Sequence, residues 1–169
     1  MESRELLLNA FDNVEQAVRG AVEGIDPALL NERVDPDANT IAWLVWHLTR
    51  VQDDHVSEVA GRPQAYTESG WADRFGLPFK ASAIGYGFSS EDVAATRISD
   101  PELLLGYHAA VHRRTAEFLR GVSGADLDRV VDTRWDPPVT LGVRLVSVIS
   151  DDLQHAGQAA FLRGILERR

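Results

Sequence analysis

Thr40-Ile41-Ala42-Trp43-Leu44-Val45-Trp46-His47-Leu48 is an almost unbroken apolar run with one histidine set inside it. Asn39 and Thr40 are both acceptable helix caps, and they follow the breaker stretch Asp35-Pro36-Asp37. The run continues through Val51 and stops at Gly61-Arg62-Pro63, which predicts one long helix, the second of the chain. Its apolar part, Ile41 to Leu48, is far too short to cross a bilayer. A lone histidine on such a face is commonly a core residue satisfied by one hydrogen bond. A ligand reading for His47 therefore needs partners elsewhere in the sequence.

On either side of this helix the apolar residues keep a three-to-four spacing. Leu7, Phe11, Val14, Val18 and Val22 predict a first helix from about Arg4 to Glu23, capped by Ser3 and closed by Gly24. Asp26-Pro27 then begins a short turn or helical stub. A third helix starts at Asp100-Pro101-Glu102, carries Leu103, Leu104, Tyr107, Val111, Phe118 and Leu119, and ends before Gly121. A fourth follows Asp136-Pro137-Pro138 and runs from about Thr140 to Leu166, a length of roughly 40 Å. No segment alternates as a strand does, and no internal repeat is present. The expectation is an all-α four-helix bundle, one domain over residues 1–169.

Residues 62–99 break the regularity. Pro63, Gly70, Gly76, Pro78, Gly85 and Gly87 stand among the aromatics Tyr66, Trp71, Phe75, Phe79, Tyr86 and Phe88. A connection this long is uncommon inside a compact domain. It is long enough to cross the bundle and let helices two and three run parallel. Its aromatics either wall a substrate pocket or cover the core.

The chain has 169 residues and no cysteine, which excludes disulfides, thiolate zinc sites and a protein-borne thiol nucleophile. A net charge of −9 argues against a nucleic-acid surface. Lys80 is the only lysine, and the bias toward Arg, Ala, Val and Asp suggests a GC-rich genome. The N-terminal Met-Glu-Ser-Arg-Glu does not read as a signal peptide, so a cytoplasmic protein with no membrane partner is expected.

In Ser150-Asp151-Asp152-Leu153-Gln154-His155-Ala156-Gly157-Gln158, Asp151 and His155 sit four residues apart on one helical face. An inward carboxylate is costly unless a cation compensates it, and a divalent metal shared with His47 would do so. The alternative is a simple Asp–His hydrogen bond. His108 and His112 form a rival pair, beside Arg113 and Arg114, which would oppose a cation if they shared its face. His55, next to Asp53 and Asp54, reads as solvated or as a neighbour of the site.

The Ile-Ala-Trp-Leu-Val-Trp-His-Leu run of 41–48, with His155-Ala156-Gly157-Gln158 and Leu162-Arg163 about a hundred residues on, resembles the DinB/YfiT superfamily. More narrowly it is similar to the actinobacterial mycothiol S-transferase branch, in length, helix order and the long second crossover. The resemblance implies a metal site on His47, His155 and Asp151, the last standing where histidine is commoner. A carboxylate suits zinc, and two histidines with one carboxylate also suit ferrous iron. It further implies mycothiol as co-substrate, a small electrophile as its partner, and a role in detoxification. A mycothiol-dependent maleylpyruvate-type isomerase and a stress-induced metal-binding protein are the alternatives. Gln158 and Arg163, seven past Asp151 and eight past His155, are candidate substrate-binding residues. Gly157 is expected to admit a neighbouring helix or a ligand. Monomer and homodimer both stay open.

Overall fold

The structure, a computed structural model, describes residues 2–169. Capping and glycine chemistry cut the chain close to where the sequence places the breaks. Helix α1 spans Ser3–Val22, and a 3-10 turn at Pro27–Asn31 is capped by the Asp26 carboxylate. Helix α2 spans Ile41–Ala60, with the Thr40 hydroxyl accepting from the Trp43 N–H and Gly61 closing it in the left-handed region. Helix α6 spans Pro101–Arg120, with proline in its first turn and Asp100 as cap. Helix α7 spans Leu141–Leu166, capped by Thr140.

The first cap differs from expectation. Ser3 is the first helical residue, and Glu2 is the cap. Glu5, three positions on, turns back and accepts the Glu2 backbone N–H at 2.9 Å.

The crossover is more ordered than its composition suggests. It contains three short helices, α3 (Ala65–Glu68), α4 (Trp71–Phe75) and α5 (Ser90–Ala95). Tyr66, Trp71 and Phe75 are buried, and their rings lie 5.4 to 5.6 Å from that of Tyr107 on α6. These aromatics cover the core. Tyr86, by contrast, is 59% exposed. A short antiparallel ladder, β1 (Val130–Asp132) with β2 (Val139–Thr140), precedes α7. Such short segments leave no readable alternation.

The four long helices pack pairwise. Helix α7 lies against α1 and α2, and α6 lies against the same two. Helices α2 and α7 run in opposite directions. Arg144, in the first turn of α7, pairs with Glu58 near the end of α2 at 2.6 Å, while Leu44 near the start of α2 lines one groove with Leu162 and Ile165. Trp46, Leu48, Leu104 and Leu145 are among the fully buried side chains. Each such side chain contributes about 1.5–3 kcal/mol relative to exposure.

Two buried ionic residues on α2 fix the crossover. Asp53 accepts from the backbone N–H groups of Ala65 and Tyr66 at 2.9 and 2.8 Å and from the Tyr107 hydroxyl at 2.9 Å. Arg50, with 0% exposure, donates to the carbonyls of Ala81 and Ala83 and to Gln64, and its guanidinium lies 4.1 Å from the Tyr66 ring centroid. Arg50 thereby holds the 81–85 loop against α2. No helix among the described residues is long and apolar enough to cross a membrane.

Candidate metal centre

His47 projects from the buried face of α2. Its ring stacks on Trp43 one turn back, centroids 4.6 Å apart at 16°, and meets the edge of Tyr86 at 5.4 Å. Its Nδ1 faces the carbonyl of Ile84 in hydrogen-bond contact. A carbonyl only accepts, so Nδ1 carries the proton and Nε2 keeps a free lone pair.

His155 repeats this logic on α7. Its Nδ1 lies 2.9 Å from Gln158 Oε1, an acceptor, so its Nε2 is also free. That Nε2 is 3.7 Å from Asp151 Oδ1, one turn earlier. Asp151 Oδ2 is buried with no hydrogen-bond partner. The two imidazole centroids are 5.0 Å apart. One ligand atom each from His47, Asp151 and His155 falls within 4.8 Å of the others.

These residues fit a divalent cation. Ligands about 2.0–2.1 Å from a tetrahedral zinc lie roughly 3.3 Å apart, so a bound ion would draw these side chains inward from their present spread. A metal ligand must be a neutral imidazole, and burial pushes the His47 pKa down, opposed by the Ile84 carbonyl. The second partners, Ile84 and Gln158, fix both tautomers as outer hydrogen bonds do in metal sites.

Gly85 follows Ile84 at φ +99, and a Cβ there would stand 2.5 Å from His47 Nδ1. In the sequence Gly85 is one crossover glycine among four, and the Ile84 carbonyl has no side-chain signal. Two glycines flanking Tyr86 were the available signal, since Gly87 is also at positive φ.

The other histidines are used elsewhere. His108 is fully buried, and burial pushes its pKa to about 3. His112 points at α1, with Nε2 3.1 Å from Asp12 and 3.5 Å from Glu15. The pair therefore does not converge. His55 Nδ1 lies 3.3 Å from Arg144 and 3.9 Å from Asp54. Burial first, and Arg144 second, lower its pKa.

The two candidate substrate residues separate. Gln158 is at the cluster through His155. Arg163 donates to the carbonyls of Glu23 at 2.8 Å and Gly20 at 3.4 Å, and to Glu167 at 2.7 Å. The last turns of α7 run along the end of α1, where a guanidinium satisfies carbonyls left open by the helix terminus. The structure thus gives Arg163 a helix-pinning task. Nothing lies within 4 Å of where a Cβ on Gly157 would project, so no neighbouring helix explains that glycine.

An all-α scaffold that gathers two imidazoles and a carboxylate from two antiparallel helices defines a candidate mononuclear metal centre. Residues 6–168 match the mycothiol S-transferase family, of the DinB/YfiT-like kind, and the chain belongs to that family. Its structure is similar to the crystal structure of the conserved protein of locus from Enterococcus faecalis, with a TM-score of 0.92 and 27% identity. That likeness covers 100% of this chain and 99% of the other. No curated protein matches the chain.

Proposed function

We propose that this protein conjugates mycothiol to small electrophiles as a detoxifying S-transferase. It does so with a divalent metal, zinc in the first instance, held by His47, Asp151 and His155. The carrying observation is that each imidazole Nδ1 faces an oxygen acceptor, which leaves two Nε2 lone pairs and an unpaired buried carboxylate oxygen beside one another. On this reading the four long helices are the DinB/YfiT four-helix bundle, with residues 62–99 as its crossover.

A divalent cation at this position supplies Lewis acidity, which favours thiolate over thiol near neutral pH. The nucleophile must arrive on a small molecule, because the chain has no cysteine. Ile84 and Gln158 keep both imidazoles in the metal-binding tautomer. Trp43 stacks on the His47 ring and Tyr86 meets it in a T-shaped contact, and His47 itself is buried. Asp151 would offset part of the charge of such a cation with its carboxylate. In the transfer the sulfur lone pair forms a C–S bond, the carbon–halogen bond of an activated halide breaks, and halide leaves with its electron pair. The thiol proton passes to solvent.

The test is conjugate formation followed by chromatography, with mycothiol, glutathione and no thiol side by side on metal-loaded protein. The expected result is enhancement with mycothiol, little with glutathione, loss on chelation and return on adding zinc. No enhancement over the uncatalysed reaction with mycothiol, across several electrophiles, would overturn the assignment.

A further inference from the structure

Beyond the ligand cluster, toward the end of α7, the surface opens into a groove of about 220 Å³. Val34, Ala38, Leu44, Phe161 and Ile165 supply its apolar walls, and no charged residue lines it. Four other clefts of the surface each carry at least two charged residues. On a chain of net charge −9, an uncharged concavity is a selective feature. The groove is also tied to the candidate centre. Gln158 lines it while accepting from His155 at 2.9 Å, and Leu44 lies one turn before His47 on α2. Phe161 forms one side and is 72% exposed, a large apolar surface offered to solvent.

The opposite side of the cluster is polar. Arg144 and Glu58 form an ion pair there, with His55 within 3.3 Å of Arg144. Asp54, Glu58 and Arg144 act through space on His55, as does Asp151 itself. A hydroxyl-rich thiol body suits that side, and an apolar group suits the groove.

We propose that the groove is the electrophile subsite and seats an uncharged alkyl or aryl substituent whose reactive carbon stands at the His47–Asp151–His155 cluster. The inference rests on the transferase reading and names its second substrate class: apolar, uncharged electrophiles with a good leaving group. Gln158 joins the two parts, fixing the His155 tautomer with Oε1 while its side chain lines the groove.

A series of N-alkyl iodoacetamides from methyl to butyl tests this, with one warhead and a growing tail. The chain has no thiol for these reagents to alkylate. With mycothiol and zinc-loaded protein, kcat/KM is expected to rise by up to about fourfold per added methylene, the factor for burying one CH2. Ala38→Phe, which fills the groove, and Phe161→Ser, which removes a wall, should flatten that slope, each variant being referred to its own rate with iodoacetamide. N-butylacetamide, which has no leaving group, gives a readout free of turnover. It should shift the amide resonances of residues 38 and 161 in the wild type and leave those of Ala38→Phe in place. Turnover with a flat slope in the wild type, or a slope untouched by both variants, overturns the subsite and leaves the transferase reading standing. No turnover of any member, with N-butylacetamide still bound at residues 38 and 161, overturns the transferase reading and keeps the groove as an apolar ligand site. Absence of those shifts overturns the groove.

Discussion

The backbone of Gly85 closes on the imidazole of His47 at a distance that only glycine permits. A Cβ would stand 2.5 Å from Nδ1, and φ there is +99. The Ile84 carbonyl immediately before it accepts the Nδ1 proton. Gly85→Ala must therefore move the loop or the ring. Metal affinity is expected to fall 10- to 100-fold, the usual loss when an outer partner of a ligand is disturbed. Competition against a zinc-binding dye measures it, and an unchanged affinity would show that the loop does not set the ring.

Arg50 acts at longer range on the same imidazole. It donates to the carbonyls of Ala81 and Ala83, three residues and one residue before Ile84, from a fully buried position. Arg50→Met should cost on the order of 3 kcal/mol in urea unfolding. It should also loosen residues 81–85 in hydrogen exchange and weaken zinc binding, although Arg50 is no ligand. A variant destabilised to that degree with wild-type zinc affinity would leave Arg50 with a packing role alone.

Asp152, next to the candidate ligand, is 0% exposed and neither carboxylate oxygen has a partner. Burial, and then the neighbouring Asp151, push its pKa well above the ordinary carboxylate value. The folded state keeps this proton to a higher pH than the unfolded chain does. Stability therefore falls as pH rises from the unfolded pKa to the raised folded one, and is flat above that. Asp152→Asn keeps the shape and removes the ionisation. In metal-free protein it should be more stable than the wild type by about 1–3 kcal/mol at pH 8, with the gain shrinking toward pH 4. Parallel stability–pH curves for the two proteins would contradict the assignment.

The helices and the candidate cluster were legible for different reasons. Thr40, Gly61, Asp100-Pro101 and Thr140 mark helix ends by local backbone chemistry, which a sequence displays directly. Asp151 and His155 were legible because an i, i+4 spacing fixes a shared face. What places His47 was not. Its partner is a main-chain carbonyl 37 residues downstream, and a carbonyl has no residue identity to read. Arg50 and Asp53 read as polar positions on a helix, yet both are buried as anchors for the crossover. Arg163 shares a helical face with His155, and only the packing of α1 against α7 shows which neighbour it meets.

Metal stoichiometry decides whether His47, Asp151 and His155 together hold one divalent ion. Protein purified without added metal and then equilibrated with zinc should carry about one ion per chain by elemental analysis. His47→Ala and His155→Ala should each lose most of it, with helix content by circular dichroism retained. Wild-type protein that takes up no divalent metal, or either variant keeping a full equivalent, would mean that these three residues do not form a metal site.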